Sequence, residues 1–209
     1  MKGQASKSQQ SNVYVKKSFA EGIISRFKKS TCDEGLTFIQ LVEKIRDCKK
    51  CRLWKDAENA VPGEGPDNAK VMLVGQNPGE QENKTGKPFV GISGKFLDTI
   101  LKKNTIQRDE LFITNIVKHK TPNNRKPKAD EIEECVPYLL EQIEHINPEI
   151  IVLMGKVAWQ TPRKKTIEYI ETYHPSAAMR FPKMRERFDE DFHRLKKLIK
   201  KSKKVITEK

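Results

Sequence analysis

Long apolar runs are missing from this chain of 209 residues. No stretch approaches the roughly eighteen apolar residues a membrane-spanning helix needs. The basic start lacks the apolar core of a secretory signal. The expectation is a cytoplasmic protein that does not engage a membrane. Acidic residues are also short, with 28 Asp and Glu against 41 Lys and Arg, a formal net charge of +13. Such an imbalance points to a polyanionic partner, most often nucleic acid. Cysteine is scarce: Cys32, Cys48, Cys51 and Cys135 are all there is. In a cytoplasmic chain these are not expected to form disulfides. There is no internal repeat. The length leaves room for one domain with a real core and little else.

The positive charge is concentrated at the ends. Residues 1–30 carry Lys2, Lys7, Lys16, Lys17, Arg26, Lys28 and Lys29 against the single acid Glu21. Met1 to Asn12, rich in Gln, Ser and Lys, has the composition of a disordered arm. Near the other end Arg194, Lys196, Lys197, Lys200, Lys201, Lys203 and Lys204 crowd together. Phe188, Phe192, Leu195 and Ile199 lie three or four apart in the same stretch. That spacing predicts a helix packed on one face and basic on the other. The expected organisation is a basic extension over 1–33, a folded domain over 34–200 and a basic tail over 201–209.

Between the ends, helical and strand patterns alternate. Phe38, Leu41, Val42 and Ile45 fall at helical spacing. Val71–Gly75 (VMLVG) reads as a buried strand with a glycine stop. Phe96, Leu97, Ile100 and Leu101 form a helical face, and Leu111–Val117 (LFITNIV) reads as a strand. Ile132, Val136, Leu139, Leu140, Ile143 and Ile146 mark an amphipathic helix. Ile150–Gly155 (IIVLMG) and Ile167–Tyr173 follow as strands. This alternation predicts a three-layer α/β/α domain around a largely parallel four-stranded sheet. Ligands in such folds bind beyond the carboxyl ends of the strands. Four polar motifs stand at those ends: Gly75-Gln76-Asn77-Pro78-Gly79, Asn115, His119 and His174-Pro175-Ser176.

Cys48-Lys49-Lys50-Cys51 is a C-x2-C pair beside three cations, Lys49, Lys50 and Arg52. Nearby cations help hold thiolates, and the spacing suits zinc, an iron–sulfur cluster or a redox pair. A closed metal site needs two further ligands. Cys135 and His119, which flank the long central helix, are the candidates; Cys32 sits in a poorly patterned segment and reads as a bystander. Asn115 interrupts an otherwise apolar strand, which is costly without a partner. It is therefore a candidate binding residue. His174, followed by Pro175 and Ser176 after a strand, fits a core histidine poorly.

Several stretches, in order, resemble a known family. They are Cys48-x2-Cys51, Val61-Pro62-Gly63-Glu64-Gly65, VMLVGQNPGEQE (Val71–Glu82), TGKPFVGISGKFLD (Thr85–Asp98), LFITNIVKHKTPNNRKP (Leu111–Pro127), Cys135-Val136-Pro137-Tyr138-Leu139 and TYHPSAAMR (Thr172–Arg180). From about Phe38 to Leu198 the chain resembles the family 4 iron–sulfur uracil-DNA glycosylases of the wider uracil-DNA glycosylase superfamily. The resemblance implies a monomeric enzyme that cuts the N-glycosidic bond of uracil in DNA after flipping the base from the stack. It implies a 4Fe–4S cluster on Cys48, Cys51, His119 and Cys135, with zinc as the alternative metal. Phe89 corresponds to the aromatic that stacks on the flipped base. Asn115 corresponds to the reader of the uracil edge, accepting from N3–H and donating to O4. His174 corresponds to the group that hydrogen-bonds O2 as charge grows on the departing base. Ser176, Met179 and Arg180 match the loop that enters the DNA minor groove, with Met179 as its wedge.

Three departures from that family stand out. The first motif usually reads Gly-Glu-Ala-Pro-Gly, whereas this chain has Gln76, expected to contact the substrate, and Asn77, expected to be catalytic. Asn at the third place resembles superfamily branches in which an asparagine positions the attacking water, and the substrate range then extends to other deaminated bases. His119 replaces the usual cysteine of a Val-Lys-Cys context. It resembles the Val-Lys-His of the X-type branch, but the basic loop ending in Arg-Ile-His that follows there is absent. His119 is read as a ligand, with a substrate contact or a crosslinking nucleophile as alternatives. The stretch between Gly155 and Tyr173 is shorter than in typical relatives and offers Arg163, Lys164 and Lys165 to phosphates. A non-catalytic or covalently uracil-linking lesion binder is the alternative to the enzyme.

Overall fold

The computed structural model describes residues 36–207, with side chains as far as Ser202. The expected basic extension over 1–33 and Cys32 lie outside the described residues. Four strands form one sheet: β1 (Val71–Gly75), β2 (Leu111–Asn115), β3 (Ile150–Met154) and β4 (Glu168–Thr172). The order is β2-β1-β3-β4 and every pairing is parallel. The three-layer α/β reading is borne out, and the sheet is parallel throughout. β2 ends two residues sooner than the sequence pattern suggests. The Ile116 and Val117 N–H groups still donate to the carbonyls of Gly75 and Gln76, at 3.0 Å each, so the chain stays pinned to the loop after β1.

Alternation along the strands builds two cores. Met72, Val74, Phe112, Ile151 and Leu153 face α4 (Ala129–Ile146) through Ile132, Val136, Leu139 and Ile143. Val71, Leu73, Ile113, Val152 and Ile170 face the opposite layer. That layer consists of α3 (Ile92–Lys103), α5 (Pro175–Arg180) and α6 (Pro182–Thr207). Leu97, Ile100 and Leu101 of α3 meet Phe188, Phe192 and Leu195 of α6 there. Period two in the strands and period 3.6 in the helices are what allow both faces to be covered.

α1 (Phe38–Arg46) starts at Thr37, whose hydroxyl accepts from the Gln40 N–H, a capping box. Leu41 and Ile45 pack with Cys48, Ala60 and Tyr138, so α1 docks on α4 and delivers the C-x2-C segment beside it. The short α2 (Glu80–Thr85) follows β1 directly. The loops after β1, β2 and β4 therefore open at one edge of the sheet. Among the described residues no helix is long and apolar enough to cross a membrane.

Candidate active site

A cavity of about 590 Å³ opens at that edge. Gln76, Asn77, Phe89, Asn115, His174, Ser176 and Arg180 all line it. Seven residues chosen from sequence thus meet in one space. Met179 is exposed beside Arg180, whereas His119 is not among the lining residues.

Asn115 ends β2 opposite Gly75 of β1. A Cβ on Gly75 would sit 2.4 Å from Asn115 Oδ1 and 2.5 Å from Phe89 Cζ. The glycine is required because the amide and the ring approach the backbone there. Asn115 is buried, and its Oδ1 has no hydrogen-bond partner. Burying an acceptor without a partner costs about 1–3 kcal/mol, and Oδ1 is free to accept from a donor that enters the cavity.

Phe89 is buried with φ 51°, a left-handed conformation unusual for an aromatic residue. Two contacts hold it. The Arg108 guanidinium donates to the Pro88 carbonyl at 2.9 Å and to that of Phe89 at 3.4 Å. Gly94 of α3 lies so close that an added Cβ would stand 1.8 Å from the Phe89 carbonyl oxygen. The Phe89 and His174 rings face the cavity with centroids 6.1 Å apart.

His174 caps α5. Its Nδ1 accepts from the Ser176 N–H at 3.2 Å and lies 2.8 Å from the Ser176 hydroxyl. A nitrogen that accepts a backbone N–H carries no proton, so the ring proton of the neutral form is on Nε2. Burial lowers the His174 pKa to about 4, with the Glu82 carboxylate pulling the other way. At neutral pH the ring is therefore an uncharged Nε2–H donor.

Asn77 is fixed at both ends of its amide. Its Nδ2 donates to the Pro78 carbonyl at 2.9 Å and its Oδ1 accepts from Gln76 Nε2 at 2.9 Å. One Oδ1 lone pair remains for a water proton.

The cysteine region is separate. Cys48 and Cys135 are buried, Cys51 is half-buried, and all three are free thiols. They lie within electrostatic reach of one another. Burial raises Cys51 and pushes the Cys135 thiol up to about 12, although Sγ of Cys135 accepts from the Lys118 N–H at 3.3 Å. His119 is buried, with its pKa lowered by burial and its Nδ1 unpartnered. Among the described residues no three His, Cys, Asp or Glu side chains close on one point to hold a metal ion.

Comparison with known proteins decides the family. The model of the Uracil DNA glycosylase superfamily matches residues 62–196. The chain belongs to the uracil-DNA glycosylase superfamily. It is 41% identical over 184 residues to the type-4 uracil-DNA glycosylase of Sulfurisphaera tokodaii, covering 76% of this chain and 83% of that one. The type-4 enzyme of Saccharolobus solfataricus is 40% identical, covering 80% of this chain and 88% of its own. That of Archaeoglobus fulgidus is 34% identical, covering 79% and 95%.

Two buried polar residues of this superfamily member escaped sequence reasoning. Glu82 accepts from the N–H groups of Gly79, Val90 and Gly91 at 2.8–3.0 Å, tying the loop after β1 to the segment around Phe89. Its signal was available: a glutamate three residues past the Pro-Gly that opens α2. Lys118 is fully buried, and desolvation lowers its pKa to about 7. Its Nζ donates to Thr114 Oγ1 and the Asn115 carbonyl at 2.8 Å each and to Gln142 Oε1 at 2.7 Å. It sits between the end of β2 and the cysteine region.

Proposed function

We propose that the protein is a cytoplasmic, monomeric, monofunctional glycosylase that hydrolyses the N-glycosidic bond of uracil in DNA. The observation that carries this reading is the unpartnered Oδ1 of Asn115, in one cavity with the Phe89 ring and the uncharged Nε2–H of His174. Uracil offers a flat face for Phe89, an N3–H for Asn115 Oδ1 and an O2 for His174. The base reaches such a cavity only after leaving the stack.

The division of labour follows from the geometry. As the glycosidic bond lengthens, negative charge collects on the base and the sugar becomes oxocarbenium-like. His174 meets that charge with a donor already in place, so little reorganisation is needed. Asn77 is no base. It holds a water by its free lone pair, and an oxocarbenium-like sugar needs only a weak nucleophile. Gln76 orients that amide. Ser176, Met179 and Arg180 are the DNA contacts of this reading, with Arg180 toward phosphate and Met179 toward the bases.

The cysteine region fits a resident cofactor. Three free thiols, one with its pKa pushed up to about 12, lie within electrostatic reach of one another, and the buried His119 Nδ1 has no partner. Bound thiolates would remove the desolvation cost, because the metal supplies the missing positive charge. Cys48, Cys51, Cys135 and His119 would hold a 4Fe–4S cluster, or zinc, which would pin the C-x2-C segment to α4.

The test is direct. Oligonucleotides bearing uracil, hypoxanthine or xanthine are incubated with protein, abasic sites are cleaved with alkali, and products are resolved on a denaturing gel. Uracil excision is expected. His174→Ala and Asn77→Ala should each slow it by about 10²–10³, the scale of one lost preorganised contact. Asn115→Asp keeps an acceptor for N3–H but sets a carboxylate oxygen against O4 in place of the amide donor, and should cost about 5- to 150-fold. Full uracil excision by Asn115→Asp would remove Asn115 from the pocket's reading edge.

A further inference from the structure

Five large apolar side chains are exposed among the described residues: Ile39, Trp54, Ile92, Met179 and Phe181. Single exposed apolar residues need no explanation. One of these five, Ile92, stands at the mouth of the active-site cavity, and two more, Met179 and Phe181, are chain neighbours of a cavity residue. Ile92 opens α3 and lines the cavity while 75% exposed. Met179 and Phe181, 40% and 53% exposed, bracket Arg180, which lines the same cavity. α3, which Ile92 opens, packs against α5, which carries Met179. Arg180, which lines the cavity, is an exposed cation, and Lys183 is another exposed cation three residues further along the chain.

An exposed apolar side chain and a cation on a cavity roomy enough for a flipped nucleotide have a specific chemical complement. A nucleotide that leaves a duplex uncovers the faces of its neighbouring bases and strands its pairing partner. Those faces are flat and apolar, and the phosphates beside them are anionic. Apolar side chains that enter such a gap offset part of the lost stacking. A single strand has no ordered stack to fill, so the contribution belongs to duplex substrates.

We propose that Ile92 is a second apolar DNA contact, seated with Met179 and Phe181 against the base faces uncovered in duplex DNA when the target nucleotide flips. The inference rests on the glycosylase reading above. It assigns to position 92 a part in choosing duplex over single-stranded substrate.

Single-turnover uracil excision is measured on a uracil strand alone and on the same strand annealed to its complement. Wild type, Ile92→Gln and Ile92→Leu are compared, with thermal melts as a check on folding at this exposed position. Ile92→Gln should lower the duplex-to-single-strand rate ratio about tenfold, the size of losing an aliphatic contact area. Ile92→Leu should keep a ratio close to wild type. An unchanged ratio in Ile92→Gln, with wild type active, overturns the role of Ile92 and leaves the glycosylase reading standing. A wild-type protein inactive on both substrates overturns the glycosylase reading itself.

Discussion

The base pocket and the cysteine region lie on either side of the Asn115–His119 segment and are finished to different degrees. In the pocket, polar groups hold one another: Asn77 through Gln76 and Pro78, Glu82 through three N–H groups, His174 through Ser176. One buried acceptor, Asn115 Oδ1, is left open. The cysteine region holds three free thiols, and His119, next to Lys118, has an unpartnered Nδ1. A single dry acceptor in a preorganised wall suits a visitor that comes and goes. Buried thiols whose pKa values are raised by burial suit, in the proposed reading, a group that stays. Lys118 joins the two regions, since its Nζ holds the Asn115 carbonyl and its N–H reaches Cys135.

The hardest blow to that contrast is Cys135→Ala. A structural metal contributes free energy on the order of 10 kcal/mol, comparable with a domain's whole net stability of about 5–15 kcal/mol. Anaerobically purified wild type should be straw-brown and contain iron; the variant should be colourless and should melt far lower or fail to fold. Visible absorbance, metal analysis and thermal melts check this. Colourless wild type with one equivalent of zinc would exchange the cluster for a zinc site on the same residues. A metal-free wild type, stable and unaffected by Cys135→Ala, would end the distinction between a visitor's site and a resident's.

Gly75→Ala attacks the other region alone. The new Cβ would need the space of Asn115 Oδ1 and Phe89 Cζ, so both must move. Overpacking of this kind costs about 1–3 kcal/mol. A displacement near 1 Å of positioning groups costs about a hundredfold in rate. Excision should fall by that factor while colour and metal content stay as in wild type. If metal content fell as well, the two regions would be one cooperative unit through Lys118.

The two regions also differed in how far the sequence revealed them. Three of the four strands were legible because their apolar runs end at a glycine or an asparagine, and Asn115 stood out as an amide in an apolar strand. Phe89 was legible as a residue but not as a shape. Its φ of 51° is imposed by Gly94 and Arg108, contacts no local pattern carries. Lys118 was invisible because Val117-Lys118-His119-Lys120 reads as an ordinary polar exit from a strand. Its burial exists only once Gln142 of α4 and Thr114 of β2 surround it. The same holds for Glu131, which Arg125 grips with two hydrogen bonds and which Arg52, next to Cys51, also reaches. Glu131 is held at a pKa of about 2, chiefly by the Arg125 hydrogen bonds. Nothing in the spacing of these residues along the chain announces that network.

The mildest probe leaves every atom in place and changes pH. Burial lowers His174 to about 4, from 6.5. The unfolded chain therefore takes up this proton first as pH falls. Between about pH 6.5 and 4 the unfolded state holds more protons at this site, so its contribution to stability shrinks on acidification; below about 4 both states are protonated and no further loss follows. The His174 increment should appear as a steeper acid slope in wild type than in His174→Gln, read from denaturant midpoints across that window. Protonation would also place a hydrogen on Nδ1, opposite the Ser176 N–H it now accepts. Excision should therefore persist well below pH 6.5 and fail only as the ring itself titrates. Nitrogen chemical shifts of the imidazole give the decisive reading: an unprotonated Nδ1 at neutral pH and a midpoint near 4. A midpoint near 6.5 would mean a solvated ring, and the pocket would then be no more preorganised than the cysteine region.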